Sequence, residues 1–398
     1  MIWFIFILYI VLSSYLLWRI IHWLRHVSSL FKHKKIQVIA IAVYCVLANS
    51  IIIGGLFPTS DFQVFMHKLG NYWLGVFIYL LFFVIVTDII VVVLRLINHR
   101  YDMPAMHNLK RYYDVGIIIL MASILFSSYG FLHAKKLTTK SYDITVNKQT
   151  NGQEDLNIVL VADLHLGYNA GCDMMEKMVN QINEMDPDVV VLAGDIFDNN
   201  YDALDDPDSL VGIFSSIQSR YGVYAVYGNH DVTETLVGGF SVTKSINALR
   251  DPRMNQLLEN SGIKLLSDEV TTIADGSIYL VGRLDKSKPG DGTKNRKSIQ
   301  ELTENLDQSK PIILIEHQPV KLKQASDQGV DIMLSGHTHN GQFFPLNLPQ
   351  FVWWDNFYGK KQVGNMYSFV TSGVGAYGPY MRVMSDAEVM QIRVKFQN

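Results

Sequence analysis

Charge is scarce in this chain: Asp, Glu, Lys and Arg make up 18% of its 398 residues, against 49% hydrophobic ones. Cysteine is scarcer still. The two, Cys45 in an apolar run and Cys172 in the more polar part, have no plausible pairing, which excludes a small disulfide scaffold. A basic surplus is also missing, the formal net charge being −3, so a general nucleic-acid binder is not expected. Apolar content this high excludes a disordered chain. A mean hydropathy of +0.14 over this length places part of the chain in a membrane. Residues 1–133 carry 10 Lys+Arg and 4 Asp+Glu, whereas 134–398 carry 24 and 33. The sequence therefore reads as a membrane region, 1–132, a polar linker, 133–155, and a soluble domain, 156–398.

Four apolar stretches approach the ~20 residues needed to cross the hydrocarbon core: Ile2 to Leu24, Ile36 to Phe57, Leu69 to Leu94 and Val115 to Leu132. The first lacks the basic start and small-residue cleavage pattern of a signal peptide, and is read as retained. Arg19, Arg25, Lys32, Lys34 and Lys35 crowd the first loop, Arg95, Arg100, Lys110 and Arg111 the third, and Lys68 alone the second. Cytoplasmic loops are rich in Lys and Arg, so the soluble domain is expected outside the cytoplasm, although Lys135, Lys136 and Lys140 weigh the other way. The result is a multi-pass integral membrane protein with the bilayer as partner. Asp88 inside the third stretch is either on an ion path or, as we read it, structural and paired near Arg95. A transporter has little support without paired, broken spans.

Beyond the linker, in which Tyr142 to Val146 can add an edge strand, short apolar runs alternate with amphipathic stretches. Ile158 to Ala162, Val189 to Ala193, Val223 to Tyr227, Ile278 to Val281, Ile312 to Ile315, Ile332 to Leu334 and Ser368 to Thr371 read as strands. Asp173 to Met185, Ser209 to Arg220 and Ser298 to Leu306 read as helices. This is an α/β domain whose sheet is covered on both faces. Polar clusters follow the strands: Asp163-Leu164-His165, Gly194-Asp195-Ile196-Phe197-Asp198, Gly228-Asn229-His230-Asp231, Glu316-His317 and Gly336-His337-Thr338-His339. All five histidines after residue 133 lie in them. Ligands of α/β sheets bind beyond the strands' carboxyl ends, so the five peptides are expected to converge. Carboxylate, imidazole and amide donors without thiolates suit Mn, Zn, Fe or Mg, and there are too many for one ion. Two ions accommodate them, an arrangement recurrent in phosphate-ester hydrolysis.

The ordered series D-x-H, G-D-x-x-D, G-N-H-D, H and G-H-x-H resembles the calcineurin-like metallophosphoesterase superfamily over about residues 156–395. The run Gly336 to Gln342 is similar, more narrowly, to a membrane-anchored branch whose relatives include UDP-diacylglucosamine pyrophosphohydrolases. The resemblance implies a two-sheet α/β sandwich flanked by helices and two divalent metal ions. It further implies Asp163, His165 and His339 on one ion, Asn229, His317 and His337 on the other, and Asp195 bridging them, with a hydroxide between the ions as nucleophile. His230 would serve the leaving-group oxygen, with Asp231 orienting its ring. The absence of a matching tyrosine argues against the purple acid phosphatase subtype. Ala162 and Glu316 depart from the pattern; Glu316 either tunes an ion from outside its ligands or faces solvent.

Substrate contacts are proposed at Asp198, Arg382, Phe351 and Trp353. Asp198 otherwise caps a turn. Arg382 shares a loop with Tyr377-Gly378-Pro379-Tyr380. The run from Phe343 to Trp354, FFPLNLPQFVWW, is either a layer beneath a loop or a wall for acyl chains, and the basic, Gly-rich segment from Lys286 to Lys297 either reaches phosphate or is solvated. The leading reading is a membrane-bound phosphoesterase or pyrophosphatase with a phosphate-containing, lipid-linked substrate. Its alternatives are a tethered phosphatase for soluble esters and a non-catalytic receptor or scaffold.

Overall fold

The computed structural model describes residues 2–101, 109–150, 152–234, 236–237, 240–241, 248–293 and 295–397. Two compact units result, one comprising Met1–Phe131 with Val237–Phe240 and Gly378–Tyr380, the other the rest of the chain from Leu132.

The first unit is helical: α1 (Ile2–Val27), α2 (Lys34–Ala48), α3 (Ser50–Gly55), α4 (Asp61–Tyr101) and α5 (Leu109–His133). Among the described residues three helices, spanning Phe6–Val27, Asp61–Leu94 and Asp114–His133, are long and apolar enough to cross a membrane. The second expected span, Ile36 to Phe57, differs. It is broken at Asn49 (φ −112°, ψ 12°), whose side-chain amide donates to the Cys45 carbonyl at 2.8 Å beside its own backbone amide at 3.1 Å. Each piece is too short to span alone, α2 having 15 residues and α3 six. Of the third basic loop, residues 102–108 lie outside the described residues. The basic partner of Asp88 is Arg19 of α1, at 2.8 Å, and not Arg95; the Tyr15 hydroxyl also donates to it. Asp88 thus ties α4 to α1.

The second unit is a two-sheet sandwich. Its first sheet orders Leu137–Val146, Ala387–Phe396, Asp155–Val161, Val189–Ala193, Val223–Val226 and Ile263–Leu265; only the contact of Ala387–Phe396 with Asp155–Val161 is antiparallel. The second orders Gly359–Val363, Met366–Val370, Ile332–Ser335, Ile312–Ile315, Ile278–Gly282 and Glu269–Ile273, parallel except at its two outer pairings. The expected linker thus carries a ten-residue strand, Leu137–Val146.

Continuous apolar strands exist here because both faces are covered. Ile158, Leu160 and Val191 of the first sheet pack against Leu280, Ile313 and Leu334 of the second, all fully buried. The outer face of the first sheet holds helices Cys172–Asn183, Pro207–Ser215 and Pro252–Asn260 through Met175, Leu210 and Leu258. Ile299 and Leu322 cover the second sheet. Each sheet therefore contains a run of four mutually parallel strands, and the carboxyl ends of Asp155–Val161, Val189–Ala193, Val223–Val226, Ile312–Ile315 and Ile332–Ser335 deliver the site loops.

Candidate metal centre

The five clusters converge. Asp163, His165 and His339 bring ligand atoms within 4.8 Å of one another, and so do Asp195, His317 and His337. Nε2 of His165 is 3.1 Å from Nε2 of His339, which is 3.3 Å from Asp163 Oδ1. Asp195 Oδ2 lies between the groups, 3.1 Å from His317 Nε2 and 3.9 Å from His165 Nε2. His337 Nδ1 is 3.2 Å from His317 Nε2.

Backbone geometry makes this crowding possible. Asp163, His165, Asp195, His337 and His339 all have φ between 48° and 75°, a region non-glycine residues avoid and that recurs where function outweighs local strain. A Cβ on Gly336 would sit 2.4 Å from Asp163 Oδ2, and one on Gly228 2.3 Å from Asp195 Oδ1, so both positions require glycine for close approach. The His337 amide donates to the Asp163 carboxylate at 2.9 Å, and that of His230 to Asp195 Oδ1 at 2.7 Å. His317 Nδ1 meets the Ala193 carbonyl at 2.8 Å, which leaves Nε2 facing Asp195.

Electrostatics agree with a cation site. Burial opposes the charged form of Asp195, but His317 and His230 outweigh it and hold the carboxyl well below its usual range. Burial likewise works to lower His317, yet Asp195 and Asp163 carry it up to about 10. Positive charge is favoured at this point. Burial and the neighbouring His317 push His337 down to about 3, and burial with His165 pushes His339 far down, so both rings keep a lone pair. Burial raises Asp163 to about 6. Buried Asn229 Oδ1, His165 Nδ1 and His339 Nδ1 have no hydrogen-bond partner. Buried polar atoms without partners are costly, and imidazoles beside carboxylates are a donor set that divalent ions take. The residues fit two metal ions.

Residues 156–341 match the family described as calcineurin-like phosphoesterase. The chain is 31% identical over 332 residues, 81% of its length and 72% of the relative's, to a transmembrane protein with metallophosphoesterase domain from Danio rerio. The chain belongs to the calcineurin-like metallophosphoesterase family. It is 30% identical to the Bos taurus protein of the same name over 69% of this chain and 61% of that one, and 27% identical to an uncharacterized metallophosphoesterase of Campylobacter jejuni over 80% and 79%. A dimetal phosphatase structure from Danio rerio aligns with a TM-score of 0.36 at 13% identity, covering 61% of this chain and 99% of that one. As a calcineurin-like metallophosphoesterase, this membrane-anchored protein is a dinuclear metal-dependent hydrolase.

Around this metallophosphoesterase centre the remaining expected residues take distinct places. The carboxylate at the His230 ring is Asp198, not Asp231: Asp198 Oδ1 is 3.1 Å from His230 Nδ1 and 3.6 Å from His165 Nδ1. Burial opposes ionisation of Asp198, but His165 and His230 overcome it and depress its pKa. Asp231 instead accepts the amides of Phe197 and Gly228, each at 2.7 Å, pinning the Asn229 turn to the Asp195 loop. Sequence adjacency pointed to Asp231; its side chain folds back on backbone.

Arg382 does not face the centre. Fully buried, it donates to the carbonyls of Ser372, Gly373, Gly375 and Asp386 at 2.6–3.0 Å. The loop it organises presents Tyr377, missed as a site residue in the sequence, whose ring lies 5.1 Å from His339, 6.0 Å from His165 and 6.1 Å from His230. Gln342 fixes the Tyr377 backbone, donating to its carbonyl at 3.0 Å and accepting its amide at 3.2 Å. Glu316 neither faces solvent nor points at the ligands; it is buried between Arg283 at 3.0 Å and Arg296 at 2.6 Å. In the basic segment Lys288 pairs with Glu234, and Lys297 Nζ donates to the Asp268 carbonyl at 3.1 Å, so these charges are tied to protein; Lys294 lies outside the described residues. Phe343 is buried, whereas Phe351 and Trp353 are 67% and 69% exposed. They are not a buried layer.

Three outcomes follow from this geometry. Asp195→Asn is expected to lower bound metal and hydrolysis together, with elemental analysis and turnover as readouts; two equivalents of metal at full activity would contradict it. His230→Gln is expected to retain metal but slow hydrolysis by roughly 10² to 10⁴, less for aryl than for alkyl leaving groups. Asp198→Asn is expected to reproduce part of that loss with the same leaving-group dependence.

Proposed function

We propose that this protein hydrolyses lipid-linked phosphate esters or pyrophosphates at the extracytoplasmic face of the membrane that its helices span. The observation carrying this reading is an exposed apolar surface on the segment following the metal-bearing loop: Leu346, Leu348, Phe351, Val352 and Trp353 are all more than half exposed. Contiguous exposed apolar patches of this kind mark binding surfaces. The patch is joined to the centre by side chains. Phe351 packs on Phe357 at 4.6 Å between ring centroids, the Phe357 carbonyl accepts the Thr338 hydroxyl at 2.6 Å, and Trp354 meets the His337 ring edge-on at 5.2 Å. An acyl chain laid on these rings gains about 0.8 kcal/mol per buried CH₂, and Trp favours the interface where headgroup phosphates lie.

On this reading Asp163, His165 and His339 hold one ion, Asn229, His317 and His337 the other, and Asp195 reaches both. When bound, the ions supply a nucleophilic water at neutral pH and offset charge on the phosphoryl oxygens. The chain's own work is positioning. With Asp198 on Nδ1, the His230 ring turns Nε2 to the opposite side, the atom from which a proton passes to the leaving oxygen. Tyr377 lies against His165, His230 and His339 and excludes water from that side.

The side of the membrane rests on charge. If only α1, α4 and α5 crossed, the basic segments at 19–35 and 95–111 would lie on opposite faces, against the preference for basic loops inside. If α2 and α3 cross together as one kinked span, both lie inside and the catalytic domain lies outside.

Phe351→Ala with Trp353→Ala is expected to raise KM for a lipid-linked substrate while sparing a small soluble phosphoester. Equal losses would make this a tethered phosphatase for soluble esters. In a cysteine-free background, Cys at Ser141 is expected to react with an impermeant maleimide in intact cells and Cys at Ser29 not; the reverse pattern would place catalysis in the cytoplasm.

A further inference from the structure

The helical unit holds an apolar groove of about 440 Å³ between α1, α2 and α4, open on one side. Leu24, Phe31 and Ile36 form one end, and Leu47 lies near the other, beyond Tyr44 and Trp73. Along α2, Ile36 to Leu47 spans roughly 16 Å at 1.5 Å per residue, about half of a ~30 Å hydrocarbon core and so the depth of one leaflet. A single acyl chain has that reach.

The residues forming the first end are interleaved with positive charge. Arg25 follows Leu24, Lys32 follows Phe31, and Lys34 and Lys35 precede Ile36; all four are exposed. No Asp or Glu precedes Asp61 in the chain, and the nearby Arg19 is already taken by Asp88. Four cations therefore stand uncompensated by local sequence where the groove opens toward the headgroup region. Apolar shape and charge are independent observations, and they specify the two halves of one molecule. We propose that this groove binds one acyl chain of an anionic phospholipid, with Arg25, Lys32, Lys34 and Lys35 around its headgroup phosphate. The proposal stands whichever substrate the metal centre hydrolyses.

The test uses the full-length protein in a neutral maltoside detergent, titrated with phosphatidylglycerol or phosphatidylcholine. Lipid adducts are read by native mass spectrometry and stability by thermal unfolding. Phosphatidylglycerol is expected to give a persistent single adduct and to raise Tm by about 2 to 4 °C more than phosphatidylcholine. Replacing Arg25, Lys32, Lys34 and Lys35 together by Gln is expected to abolish that difference, while Lys323→Gln on the soluble domain leaves it intact. Val43→Trp, at an exposed position lining the groove, is expected to reduce the adducts of both lipids without touching the charge. Equal adducts and equal shifts for the two lipids in the unaltered protein would overturn the proposal. So would an undiminished phosphatidylglycerol preference in the quadruple variant, or unchanged adducts in Val43→Trp.

Discussion

A carboxylate buried in a protein keeps its charge only if positive charge surrounds it, and the catalytic unit is organised around that constraint at Asp195. Its two oxygens are shared between a backbone amide, that of His230, and the space between the histidine groups. The approach of four further loops follows from this. Gly228 must lack a side chain so that the third loop can close on Asp195, and Gly336 must lack one so that the fifth can close on Asp163. Left-handed backbone at Asp163, His165, Asp195, His337 and His339 is the local cost of bringing these side chains together. The stiffness needed to hold such strain comes from parallel strands with both faces buried.

Sheet and site were legible for the same reason. Fully buried parallel strands demand unbroken apolar runs, and metal ligands demand Asp, His and Asn at the ends of those runs, so both constraints are written as local residue types. What was not legible depended on distant partners. The strand Ala387–Phe396 mixes charges with apolar residues and is not among the expected strands, yet it lies between Leu137–Val146 and Asp155–Val161 in the first sheet. Its neighbours are about 240 residues away in sequence, beyond any local periodicity.

The same distinction explains the side chains that sequence reading misplaced. Asp231 is next to His230 in the chain but turns to two amides, and Asp198, which is 32 residues earlier, reaches the ring. Arg382 in a glycine-rich loop has the look of a phosphate contact; four carbonyls claim it instead. Asp88 takes Arg19 from another helix rather than Arg95 from its own. In each case the residue type announced a polar obligation, and only packing decided which group met it.

Buried arginine then becomes informative about specificity. Arg382 and Gln342 together fix the loop bearing Tyr377, while Thr338 and Trp354 fix the segment bearing Phe351 and Trp353. Gln342, Thr338 and Trp354 all belong to one stretch, residues 336–354, which also supplies His337 and His339. A ring on the apolar surface and a ligand in the metal centre are thus separated by two or three rigid contacts rather than by a flexible linker. On the proposed reading, an apolar group held at Phe351 would be coupled in position to a phosphate at His337 and His339, the geometric requirement for using remote binding energy to place a reacting bond.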